Sequence, residues 1–202
     1  MSSQEIVIIR TGVANVASVG AAFERLGCAV RLEDDAAKIA AASHVVLPGV
    51  GAFGAGMERL HALGLVQPLI ERIGAGRPTL AICLGLQLLA NGSDESPGVA
   101  GLGIIDAHVK RFSGDDIRIP QLGWNAVIAQ PGCKLIEDGH AYFANSYRLD
   151  AIPEGWSGAL SDHGGLFVAA IERGAVLACQ LHPELSGPWG AALLRRWAMI
   201  NQ

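Results

Sequence analysis

The chain has 202 residues, half of them hydrophobic and 17% charged, with a formal net charge of −4. That length fits one domain able to bury roughly 70% of its unfolded surface, and the composition excludes a disordered chain. No basic stripe, no apolar run near the roughly eighteen residues of a membrane span and no signal-like N-terminus argue against nucleic acid, membrane and secretion, so a cytoplasmic protein is expected.

In chain order, residues 6–9 read as a strand, 17–26 as a helix stopped at Gly27, 28–32 as a strand and 36–41 as a short Ala-rich helix. Residues 43–47 read as a strand, 56–63 and 66–73 as helices, 79–82 as a strand and 84–90 as a helix. Continuous apolar strands alternating with helices predict a parallel sheet covered on both faces. After about Gly92 the pattern changes. Residues 103–111, 124–129, 141–149 and 166–171 read as strands, and Glu172-Arg173-Gly174 reads as a hairpin turn into 175–181. A last helix covers 189–200. The expected fold class is α/β: a single domain over residues 1–202, with a central mostly parallel sheet, helices on both faces and a more antiparallel second half.

The cysteines, Cys28, Cys83, Cys133 and Cys179, are scattered with no C-x-x-C. That excludes a zinc ribbon or a thioredoxin motif and argues against a disulfide framework; no metal or other cofactor is expected. Cys83 differs from the other three. A buried strand runs into it, a helix follows at once, and small residues flank it at Ala81 and Gly85. This is the pattern of a sharp strand-to-helix elbow that lifts a side chain above the sheet. A helix N-terminus favours a thiolate, and the N–H of Leu84 stands next to any oxyanion formed there. The alternative is a cysteine that merely fills the core.

A thiol nucleophile needs a base, and the base needs an orienter. His44, His61, His108, His140 and His163 sit in ordinary contexts; His182 ends an apolar strand and is followed by Pro183 and Glu184. In an extended segment residues two apart share a side, and Pro183 disfavours helix before it, so Glu184 is expected to reach one ring nitrogen while the other faces the thiol.

Taken together, Cys83-Leu-Gly-Leu-Gln87 and His182-Pro-Glu184 resemble the class I, triad-type glutamine amidotransferases. Within them the chain is similar to the family of glutaminase subunits of imidazole glycerol phosphate synthase. The supporting pieces keep the family's order: Ala14-Asn15, Leu47-Pro-Gly-Val-Gly51, Gly103-Ile-Ile105, Pro120 with Gly123-Trp-Asn125, Tyr142-Phe143, Ser146-Tyr147 and Cys179-Gln-Leu-His-Pro-Glu-Leu-Ser-Gly187. The resemblance implies a flavodoxin-like fold and hydrolysis of L-glutamine through a glutamyl thioester on Cys83, with His182 relaying protons and Glu184 orienting it. It implies a heterodimer with a (β/α)₈-barrel cyclase subunit, which uses the ammonia to make imidazole glycerol phosphate and aminoimidazole carboxamide ribotide in histidine biosynthesis. Gln87, Ser146 and Tyr147 match positions near the glutamine pocket, and Asn15, Trp124 and Asn125 are candidates for partner contact. The chain departs from the family pattern at Arg10, Ala81, Gln121 and Asn145, none of them in the triad. A glutaminase serving another synthase and a subunit that has lost catalysis stay open as alternatives.

Gly49, Gly51 and Gly54 spell G-x-G-x-x-G, a dinucleotide-binding pattern, but they follow the third expected strand, not the first. A plain glycine-rich turn is one reading. The other sets the loop across from Cys83 at the same sheet edge, where an N–H of Val50 or Gly51 joins that of Leu84 as an oxyanion hole.

Overall fold

Strands that are apolar on both faces need cover on both, and the chain supplies it. A computed structural model describes residues 4–12, 15–114 and 117–200; Ala14 of the Ala14-Asn15 pair lies outside the described residues. The first half runs β1 (Glu5–Ile9), α1 (Val16–Arg25), β2 (Ala29–Glu33), α2 (Ala36–Ala41), β3 (His44–Gly49), α3 (Phe53–Ala62), α4 (Val66–Gly74), β4 (Thr79–Cys83) and α5 (Leu84–Leu88). The second runs β5 (Gly92–Ser93), β6 (His108–Arg111), β7 (Gln121–Ala129), β8 (Gly139–Asn145), β9 (Tyr147–Arg148), β10 (Ser157–Asp162), β11 (Leu166–Arg173), β12 (Val176–Cys179), a 3₁₀ turn Pro183–Leu185 and α6 (Gly187–Ala198).

Nine strands form one sheet in the order β2-β1-β3-β4-β12-β11-β10-β7-β8. The strands from β2 to β12 are parallel, and those from β11 to β8 continue antiparallel. A small second sheet has the order β5-β6-β9. Strand alternation divides the core in two. Val7, Ile9, Val45 and Leu47 face Phe53, Leu60, Leu69 and Ile73 of α3 and α4. Ile6, Ile8, Val46 and Leu80 face Phe23 of α1 and Leu193, Leu194 and Trp197 of α6. Among the described residues, no helix is long and apolar enough to cross a membrane.

The structure corrects several expected boundaries. Helix α3 starts at Phe53 instead of 56, because Phe53 N–H donates to Glu95 Oε2 at 2.7 Å and Gly54 N–H to Ser96 Oγ at 3.0 Å. These caps come from 42 residues away and leave no local signal. The expected strand 103–111 narrows to His108–Arg111. Its first part is instead a loop: the N–H groups of Ile104 and of the preceding Leu102 donate to the carbonyls of Leu89 and Leu88, closing the C-terminus of α5 two residues early. The expected strand 141–149 breaks at Ser146, β8 pairing with β7 and β9 with β6. β10 was not expected: Ser-Gly-Ala-Leu-Ser-Asp carries no β-branched residue, and it is held as a strand by pairing with β11 and β7. The hairpin turn falls on Gly174 and Ala175, one residue beyond the expected tripeptide, with Gly174 at φ +61°.

Candidate active site

β3, β4 and β12 run parallel, so their C-terminal ends open at one sheet edge. The register puts Gly49 opposite Cys83 and Cys179 opposite Ile82. Cys83 joins β4 to α5 with φ 54° and ψ −110°, and it is the single non-glycine with positive φ among the described residues. That conformation costs roughly 1–2 kcal/mol for an L-residue and persists because its surroundings fix it. A Cβ added at Gly85 would lie 2.2 Å from the carbonyl oxygen of Leu47, and one at Gly49 would lie 2.9 Å from Leu84 Cβ. The elbow therefore needs the glycine two positions after its cysteine. The first turn of α5 has no side-chain cap, so its leading N–H groups, Leu84 among them, stay available at the sheet edge.

His182 arrives from the other side. It follows β12, its own N–H donating to the carbonyl of Tyr142 at 2.9 Å. Its Nδ1 donates to Glu184 Oε1 at 2.9 Å, and the ring shares the cavity with Cys83. With Nδ1 taken, Nε2 is the nitrogen left for sulfur. The pairing of His182 with Glu184 was expected from an extended segment, but Glu184 sits in the 3₁₀ turn begun by Pro183. Proline's fixed φ suits the first position of such a turn, and the turn swings Glu184 back beneath the imidazole. Burial alone would lower the His182 pKa, but hydrogen bonds and attraction from Cys83 and Glu184 overcome it and raise it to about 10. The imidazole is thus held protonated against the sulfur. Glu184 Oε2 is buried and has no partner.

A cavity of about 600 Å³ opens over these groups. Its lining brings together Cys83, His182, Glu184, Val50, Gly51, Leu84, Gln87, Ser146, Tyr147 and Asn15 from the sequence reading. The glycine-rich loop lies across from the elbow, with Gly51 at φ +93°. Asn15 also caps α1 by accepting from Ser18 N–H at 3.3 Å. Trp124 and Asn125 do not line the cavity. Trp124 is 59% exposed on β7, edge-on to Tyr142, and Asn125 donates to the carbonyl of Asp162.

The departures from the family pattern now have positions. Arg10 is tied to Asp34 in an exposed ion pair. Gln121 and Asn145 face each other in the β7–β8 register, both buried. Asn145 donates to the carbonyl of Tyr147 at 2.9 Å and borders the cavity. Two polar side chains at the site were missed, as were the apolar lining residues Ala52, Ala144 and Leu185. Glu95 borders the cavity from a loop with no periodic signal. Gln180 approaches Cys83 Sγ with Nε2 at 3.6 Å, and its signal was present: it lies two residues before His182, on the same side of the chain. Among the described residues, no group of three or more His, Cys, Asp or Glu is placed to hold a metal ion.

The family described as glutamine amidotransferase class-I matches residues 8–200. The imidazole glycerol phosphate synthase subunit HisH of Deinococcus radiodurans is 40% identical over 198 residues, covering 96% of this chain and 92% of that protein. The chain belongs to the class I glutamine amidotransferases, in the HisH family. This HisH-family chain is also 38% identical to the chloroplastic imidazole glycerol phosphate synthase hisHF of Arabidopsis thaliana, covering 97% of itself and 34% of that longer protein. Among solved structures, a glutamine amidotransferase with 20% identity superposes with a TM-score of 0.75, covering 95% of this chain and 96% of the other. That likeness shows the shared amidotransferase fold.

Proposed function

We propose that this chain, acting over residues 1–202 as one glutaminase domain, hydrolyses L-glutamine to L-glutamate and ammonia for an imidazole glycerol phosphate synthase in the cytoplasm. One observation carries the reading: Cys83, on a strained elbow, lines one cavity with a His182 whose Nδ1 donates to Glu184 Oε1 at 2.9 Å. Cys83 Sγ attacks the side-chain amide carbon of glutamine, and the carbonyl oxygen becomes an oxyanion. The N–H of Leu84 and one of Val50 or Gly51 receive that charge, each such donor being worth about 10²–10³ in rate. The intermediate collapses as His182 hands its proton to the departing nitrogen, leaving a glutamyl thioester and ammonia. Water then attacks, His182 takes a proton from it, and the C–S bond breaks with its electron pair returning to sulfur. Proton relay of this kind contributes about 10²–10⁴. Gln87, Ser146, Tyr147 and the carboxylate of Glu95 border the space for the amino-acid end of glutamine.

The acceptor of the ammonia is the cyclase subunit, a (β/α)₈ barrel forming imidazole glycerol phosphate and aminoimidazole carboxamide ribotide. A sheltered transfer is needed because ammonia in neutral water is mostly ammonium, which is not nucleophilic. The name of the Deinococcus relative, a synthase subunit, supports a heterodimer, as does the longer Arabidopsis relative. So does the surface: Leu122, Trp124 and Ile128 are exposed on one side of β7, and Val50 and Leu185 are exposed at the cavity. Solvated apolar groups near a site gain from being covered.

The test measures glutamine hydrolysis by the chain alone and with a cognate cyclase plus its ribotide substrate, for wild type and Cys83→Ala. Weak activity alone, strong activity in the complex, and loss in Cys83→Ala with ammonia-fed synthesis intact are expected. No hydrolysis under any condition would overturn the reading, and hydrolysis that the cyclase cannot stimulate would assign the chain to another synthase.

A further inference from the structure

Gln180 is fully buried, one residue beyond β12, and its amide cannot sit there unbonded without a cost. Its backbone N–H donates to the carbonyl of Ala169 at 2.9 Å, which pins it in the sheet beside Cys83. Its side chain is used at both ends. Oε1 accepts from Gln87 Nε2 at 2.9 Å, and Nε2 stands 3.6 Å from Cys83 Sγ.

The direction of this chain of amides is fixed from outside. Gln87 Nε2 also donates to the backbone carbonyl of Tyr147 at 3.3 Å, and Asn145 Nδ2 donates to that carbonyl too. A carbonyl only accepts, so Gln87 must point its nitrogen toward Tyr147 and Gln180. Gln180 must then turn its oxygen to Gln87, which leaves its N–H groups for sulfur. Flipping Gln180 would set nitrogen against nitrogen at one end and oxygen against sulfur at the other.

We propose that Gln180 is a further catalytic residue of this site: its amide, oriented through Gln87 by the Tyr147 carbonyl, donates to Cys83 Sγ and stabilises the sulfur anion. The proposal rests on Cys83 being the nucleophile. The anion is needed twice. It is the species that attacks the amide carbon, and it is the leaving group when the thioester is hydrolysed. His182 holds the proton on one side of the sulfur, and Gln180 supplies a donor that never gives its proton away.

The test is alkylation of Cys83 by iodoacetamide across pH, on the full chain, which needs neither glutamine nor a partner. Labelling of Cys28, Cys133 and Cys179 is subtracted with Cys83→Ala. His182, Glu184, Glu95 and Tyr147 are the titratable groups lining the cavity around the sulfur, and they are unchanged in every variant; Gln180→Leu adds no charge, so its shift reports the amide. In Gln180→Leu the acid limb of the rate profile moves up by about one pH unit, as expected for one long charge-assisted hydrogen bond. Gln180→Glu keeps the shape but sets an acceptor against sulfur, and moves the limb further. Gln87→Leu, which frees the Gln180 amide to turn, moves it in the same direction by less. An unshifted profile in Gln180→Leu would overturn the proposal; if that variant does not fold, an unshifted Gln180→Glu would do so. A Cys83 that wild type alkylates no faster than its other cysteines would overturn the nucleophile reading, and this proposal with it.

Discussion

The two ends of β3 and β4 lie roughly 15 Å apart and are built on opposite rules. At their N-terminal ends Arg72 of α4 is buried without a carboxylate. Its guanidinium donates to the carbonyls of Ile39, Ala40, Ala42, Ser43 and Pro78 and to Thr79 Oγ1. Burial, with Arg77 close by, lowers its pKa to about 10, so it stays a cation. Every donor is used, and the segments before both strands are tied together. At the C-terminal ends the groups are left with unused capacity: Glu184 Oε2 and Asn145 Oδ1 have no partner, Cys83 is strained, and the first turn of α5 is uncapped. A saturated buried charge holds the fold; an unsaturated one is available to a substrate.

The contrast is broken most directly by matched substitutions. Cys83→Ala should lower glutamine turnover by at least about 10⁴-fold while leaving the urea midpoint close to wild type. Arg72→Met should do the reverse, losing about 3–5 kcal/mol in urea unfolding by stranding buried carbonyls, with the turnover of the folded protein within about twofold of wild type. An Arg72→Met protein of full stability would mean that the N-terminal ends do not depend on the guanidinium. Glu184→Gln should fall between: turnover drops by about 10²–10⁴ because the imidazole loses its orienting carboxylate, and the melting temperature changes little.

The smallest effect is on pH. The folded-state pKa of His182 lies above its ordinary value of 6.5, at about 10. The stability this group adds is therefore complete below pH 6.5 and fades as pH rises toward 10. The stability advantage of wild type over His182→Asn should shrink steadily across that range in melting scans. A constant difference would show that His182 is not held protonated by Cys83 and Glu184.

Much of the site was legible because its chemistry is written in short local patterns. The elbow needs small-x-Cys-x-Gly, and the close approach of Gly85 to the carbonyl of Leu47 shows the reason. The first hundred residues were legible for a related reason: β1, β3 and β4 are buried on both faces and read as continuous apolar runs. The antiparallel half was harder to read. β10 has a sequence without strand propensity and exists through its neighbours, and residues 103–107 read as a strand but form a loop that closes the end of α5. Gln180 and Glu95 escaped for two different reasons. Gln180 carried a signal in its spacing from His182, but what its amide does needs Cys83 and Gln87 beside it, and Glu95 reaches the cavity from a loop that no periodicity marks.

The central claim is that Cys83 is the one cysteine made nucleophilic toward a glutamine side chain. It is tested by incubating the full chain with the glutamine analogue 6-diazo-5-oxo-L-norleucine and locating the covalent adduct by peptide mass spectrometry. The account predicts one adduct, on Cys83, that L-glutamine suppresses and that is slowed in His182→Asn. An adduct on Cys28 or Cys133, or labelling of Cys83 indifferent to glutamine, would contradict it.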